Sequence, residues 1–79
     1  MVTDKVKFNG KTYNARHGSP FDRGSADSYY GRKADPHYWP FGTYKGTRIE
    51  ANDMTPAQIA AYQAGYDYNE QFGDKKNWG

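Results

Sequence analysis

Leucine is absent from this chain of 79 residues, and Val2, Val6, Ile49 and Ile59 are its only valines and isoleucines. Met1 and Met54 add the only thioethers. A core therefore has to be built from rings: eight Tyr, four Phe and two Trp make up 18% of the sequence. A buried Tyr or Trp carries a polar tip that must find a hydrogen-bond partner or reach water. One small aromatic core with many half-exposed rings is the expectation. A chain of this size buries only about 60% of its unfolded surface, so we expect a single domain over residues 1–79, ending in a short polar tail at 74–79.

The absence of cysteine excludes disulfides and thiolate metal sites and, in so small a chain, points to a reducing cytoplasm. No apolar run approaches the length of a membrane span or signal-peptide core, and Met1-Val2-Thr3-Asp4-Lys5 is polar, so a soluble protein with no membrane partner is expected. The net charge of +2 is too small to mark a nucleic-acid binder by itself. Its distribution is uneven. Residues 1–48 hold nine Lys/Arg against four Asp/Glu, whereas residues 49–79 hold two against five. Such asymmetry either steers an acidic partner to one face or lets two halves of one domain neutralise each other.

Alternation on both sides of Asn9-Gly10 predicts a β-hairpin with strands near 4–8 and 11–15, because Asn-Gly suits the positive φ angles of a type I′ turn. Ser19-Pro20-Phe21-Asp22 supplies a cap, a proline suited to the first helical position and an early acid. The helix so begun is expected to run from about 20 to 30 and to stop at Gly31 in a left-handed cap. Gly24, Ser25 and Ser28 are poor helix formers, so packing must hold it. Residues 32–42 read as a structured loop, a turn fits Lys45-Gly46, and a strand is predicted near 47–51. Thr55, Pro56 and Gln58 form a capping-box signature for a second helix from about 56 to 71. Gly24 and Ser28 on the first helix, and Ala61 and Gly65 on the second, make strips of small residues predicted to meet. Trp78 is the one aromatic in the tail and is placed to fold back on the body.

Catalytic signatures are weak. His17 and His37 lack the short spacing of a zinc motif, so no metal and no cofactor is expected. Ser19, Ser25 and Ser28 lie outside any nucleophile-elbow pattern. Asp22, Asp27 and Asp35 would serve as acids or bases only in a pocket that perturbs them, which so thin a core is not expected to enclose. We therefore expect no enzyme and no small-molecule substrate.

The suggestive cluster is Tyr29-Tyr30-Gly31-Arg32-Lys33, then His37-Tyr38-Trp39, then Tyr44, Lys45 and Arg48. Cations interleaved with flat rings suit single-stranded nucleic acid, since charges hold phosphates while rings stack on bases. The same residue types dominate protein–protein hot spots. With so few aliphatics, the rings also qualify as core. Phe21, Tyr62 and Tyr66 are assigned to the core, and Tyr38, Trp39 and Tyr44 to either role.

Arg23-Gly24, a six-residue gap, Gly31-Arg32 and then Pro36-His37-Tyr38 together resemble the ribosome modulation factor family, with Ala61-Tyr62-Gln63-Ala64-Gly65-Tyr66 in place of that family's glycine-aromatic second helix. The resemblance implies binding to small-subunit ribosomal RNA, with Arg23, Arg32 and Lys33 as contacts. Against the short, basic, nearly all-helical family pattern, this chain adds the hairpin, an insertion at 40–54 and an acidic second helix. The stretch from Met54 to the Gly73-Asp74-Lys75-Lys76-Asn77-Trp78 end also resembles small proteins of tailed bacteriophages and prophages, which implies a bacterial host cytoplasm and a host protein as the alternative partner.

The fold expected is α+β, a small antiparallel sheet made from the hairpin and the 47–51 strand, packed against two helices. The function expected is a non-enzymatic binding module for RNA or the ribosome, or else a phage accessory protein that binds and redirects a host protein. The binding residues expected are Arg23, Tyr30, Arg32, Lys33, His37, Tyr38, Trp39, Tyr44 and Arg48. An exposed aromatic patch equally suits a second copy of the chain.

Overall fold

The computed structural model describes residues 5–42 and 46–73. Tyr44, Lys45 and the tail with Trp78 lie outside the described residues, and so does the first half of the Lys45-Gly46 turn. The fold is α+β. Strands β1 (Lys5–Phe8) and β2 (Lys11–Asn14) form the hairpin, with Val6 opposite Tyr13 and Phe8 opposite Lys11. Asn9 and Gly10 take φ of 51° and 80°, as a type I′ turn requires. The register puts Val6, Phe8 and Tyr13 on one face, which covers Phe21 and Tyr68.

Helix α1 (Pro20–Tyr29) starts where Ser19 turns the chain. The Ser19 hydroxyl accepts from the Asp22 amide and donates to the Asn14 carbonyl at 2.9 Å, which ties the helix start to the end of β2. The helix ends in a Schellman motif: Gly31 has φ 69°, its amide donates to the Ser28 carbonyl, and the Arg32 amide reaches back to the Asp27 carbonyl at 2.8 Å. Helix α2 (Pro56–Phe72) carries the capping box in full, with reciprocal Thr55–Gln58 hydrogen bonds of 2.8 and 3.1 Å. No helix among the described residues is long and apolar enough to cross a membrane.

The principal tertiary contact is α1 against α2, and two glycines set its closeness. A Cβ on Gly24 would lie 1.9 Å from the Tyr62 carbonyl oxygen, and one on Gly65 would lie 2.0 Å from that of Phe21. The predicted strips therefore meet at Gly24 and Gly65. Ser28 instead sits farther along α2: it is fully buried, donates to the Glu70 carboxylate at 2.5 Å and accepts from Asn69 at 3.1 Å. Ala61 is half-buried on the same helix.

The third strand differs from expectation. Strand β3 (His37–Tyr38) and strand β4 (Ile49–Glu50) pair antiparallel with each other as a second sheet, and β4 does not join the hairpin. Strands join edge to edge through backbone hydrogen bonds, and the edge that reaches Ile49 and Glu50 is that of β3, carried against α1 by the loop after that helix. A 3-10 turn at Ala51–Asp53 then leads to buried Met54 and into α2.

Candidate functional site

One end of the helix crossing is built from polar groups. Asp27, at the third position from the end of α1, is only 3% exposed. A lone carboxylate there would cost several kcal/mol of desolvation, and its surroundings offset that cost. The phenol of Tyr62, itself completely buried, donates to one Asp27 oxygen. The Arg32 guanidinium stands 3.6 Å from the other, brought there by the Schellman turn that folds the backbone of residue 32 over the helix end. Tyr62 also accepts the Asp35 amide at 2.9 Å, so one hydroxyl joins both helices and the loop. Burial, reinforced by the Asp27 carboxylate, holds the Tyr62 phenol well above its ordinary pKa.

His37 closes the arrangement from β3. Its Nδ1 lies 2.7 Å from the Asp35 carbonyl, which can only accept, and its Nε2 lies 3.3 Å from Arg23 Nε, which can only donate. These partners select the neutral tautomer with the proton on Nδ1. The Asp27 carboxylate is 3.8 Å from the same Nδ1, too far for a direct hydrogen bond. Arg23 is thereby oriented from within the core, its Nε engaged on the ring of a buried histidine.

Above this floor opens a cleft of about 390 Å³. Arg23, Arg32, Lys33, His37, Trp39 and Arg48 line it, and all of them were singled out in the sequence; Asp27 and Asp35 complete the lining. Arg48 pairs with Asp35 at 2.8 Å and lies 3.1 Å from a Glu50 carboxylate oxygen. Lys33 stands exposed on the rim, with no ion pair among the described residues. The loop holding Trp39 is pinned: the Trp39 amide donates to Gly18 at 2.8 Å, and a Cβ on Gly18, which has φ 92°, would lie 2.7 Å from the Trp39 carbonyl oxygen.

Tyr30 and Tyr38 lie outside the lining. Tyr30 caps α1, packs edge-on against Tyr29 and supports Arg32, whose guanidinium lies 4.9 Å from the Tyr30 ring centre. Tyr38 turns toward α2, where its hydroxyl accepts from Gln58 at 3.2 Å. Of the rings assigned to the core, Phe21 and Tyr62 are buried, while Tyr66 is half-buried and donates to the Arg32 carbonyl at 2.6 Å.

The cleft opens to solvent over this polar floor. Where aliphatics are scarce, the space between helix end and loop is spanned by hydrogen bonds instead of filled by packing, and a polar-floored hollow remains. Sequence reasoning also assigned Tyr62 to the core alone and missed that it anchors Asp27. The available signal was an acid in a weak helix four residues before a glycine cap, with Arg after the glycine.

No protein-family model matches the chain, and no curated protein or solved structure is similar enough to match it.

Proposed function

We propose that this protein is a non-enzymatic RNA-binding module whose contact surface is the cleft between the end of α1, the following loop and Arg48. The observation that carries this reading is the convergence of Arg23, Arg32, Lys33 and Arg48 with Trp39 around one hollow. Guanidinium forks and ammonium groups hold phosphates, and an indole face offers a base somewhere to stack. Both nitrogens of His37 are already engaged by protein groups, which favours binding over acid–base catalysis, since a general base needs a lone pair aimed at substrate. The resemblance to ribosome modulation factor points the same way, toward ribosomal RNA in a bacterial cytoplasm, with Arg23, Arg32 and Lys33 shared between the two arguments.

A second reading has its own observation. Phe41, next to this loop, is 78% exposed, and a bare aromatic of that kind suits a host-protein interface of a phage accessory protein. Salt separates the two. Affinity for ribosomal RNA or small ribosomal subunits should fall steeply as salt rises, because each phosphate contact releases counterions. Absence of binding to either at low salt, or affinity indifferent to salt, overturns the RNA reading.

A further inference from the structure

The cleft is narrower in its chemistry than a general phosphate-binding surface. We propose that it takes a terminal phosphate monoester of a nucleotide in preference to a phosphodiester inside a chain. The inference rests on reading this cleft as a phosphate site and goes further in naming which phosphate.

Three features carry it. The first is depth. Arg23, Asp27 and His37 form a floor of residues each less than a tenth exposed, below a rim of exposed Arg32, Lys33 and Asp35. A group flanked by sugars on both sides meets the rim, whereas a chain end can enter and reach the floor. The second is charge. Arg23, Arg32, Lys33 and Arg48 face Asp27 and Asp35, and Glu50 lies against Arg48, so cations outnumber carboxylates around the hollow by one. A phosphate monoester carries about −1.5 to −2 at neutral pH, while an internal diester carries a single negative charge. The third is size and shape. A hollow of about 390 Å³ lies near the lower end of ligand pockets, which run from roughly 300 to 1,000 Å³. It suits one nucleotide, with Trp39 in the wall as the stacking face.

The floor is also held in place before any ligand arrives. His37 is fixed by the Asp35 carbonyl, it orients Arg23 through Nε, and Tyr62 fixes Asp27. Preorganised donors favour the ligand whose charge and geometry match them.

The test uses one short oligoribonucleotide in three forms, with a 5′ phosphate, with a 3′ phosphate and with hydroxyls at both ends, alongside the free nucleoside monophosphate. Binding is read by fluorescence anisotropy of labelled oligonucleotides and by competition with the nucleotide. A phosphorylated end should bind about tenfold more tightly than the hydroxyl form, the scale of one added charge-assisted hydrogen bond. That preference should vanish in Arg23→Gln, which removes the cation of the floor; in the Arg32→Gln, Lys33→Gln double variant all forms should bind more weakly while the preference persists, and Lys11→Gln, which removes a charge from the exposed hairpin, should change neither. Preference for the 5′ or the 3′ form supports the inference and says which end is read. Equal binding of all three forms overturns it and leaves the RNA reading standing. Binding of the free nucleotide without any oligonucleotide keeps the monoester site and overturns the RNA reading, and binding of neither overturns both.

Discussion

Helix α1 carries two different interiors. Its first turn sends Phe21 into a cluster of rings, stacked on Tyr13 at 5.3 Å and tilted against Tyr68 at 5.7 Å, with Phe8 edge-on to Tyr68 at 5.6 Å. Its last turns send Asp27 and Ser28 into a lattice of hydrogen bonds with Tyr62, Asn69 and Glu70. The two differ in what they contribute. The aromatic end removes apolar surface from water, worth about 1.5–3 kcal/mol for a fully buried ring. The polar end gains little net stability, because its desolvation cost offsets most of its pairing energy, but it holds charged groups in a fixed arrangement facing solvent. In a chain without leucine, folding free energy and the geometry of the candidate site are divided between the two ends of one helix.

The division can be broken or sharpened by substitution. Phe21→Ala should have the largest effect, a loss of about 3–5 kcal/mol, comparable to the entire stability of many small domains. Denaturant unfolding should show no cooperative transition or a much lowered midpoint; a near-native midpoint would contradict the role of the aromatic end. Gly65→Ala should cost about 3 kcal/mol, because the new methyl meets the Phe21 backbone and no side chain can swing aside.

Tyr62→Phe should cost less, about 1–3 kcal/mol, by leaving the buried Asp27 oxygen and the Asp35 amide without their partner. It also carries a pH signature. Because the folded state holds the Tyr62 proton more tightly than the unfolded chain does, that contribution is complete below the unfolded pKa of 10.0 and is lost as pH rises toward the higher folded value. Stability of the parent protein should therefore decline above about pH 10, and more shallowly in Tyr62→Phe. Identical alkaline profiles would show that the phenol is not held as described.

The smallest effect on stability is expected from Lys33→Gln, within about 0.5 kcal/mol, because this side chain is exposed on the rim. The same substitution should weaken RNA binding and reduce the slope of log affinity against log salt by about one. A Lys33→Gln variant that destabilised the fold as strongly as Tyr62→Phe would place this cation in the scaffold and not in the site.

Local chemistry made part of this legible from the sequence. Asn9-Gly10 demands positive φ, Ser19 and Thr55 with Gln58 cap their own helices, and Gly31 stops α1; each depends on neighbours a few residues away. Gly24 and Gly65 were readable as a close crossing because only backbone can fill such a strip. The register was not readable: Ser28 meets Asn69 and Glu70, a choice made by polar partners forty residues away in the chain. The β3–β4 pairing is two residues long and has no sequence period to betray it. In the site, the cations and Trp39 were visible as a run of types, while the contact between Asp27 and Tyr62 was hidden because its partners stand 35 residues apart and only the crossing of α1 and α2 brings them together.

The most direct test of this account is a resonance-by-resonance map of RNA binding by heteronuclear NMR. Titration with a phosphorylated oligoribonucleotide should shift the amides of Arg32, Lys33 and His37, the Trp39 indole and the Arg48 side chain, and leave the hairpin at Lys5–Asn14 unmoved. Shifts centred on the hairpin and Phe72, with the cleft silent, would contradict it.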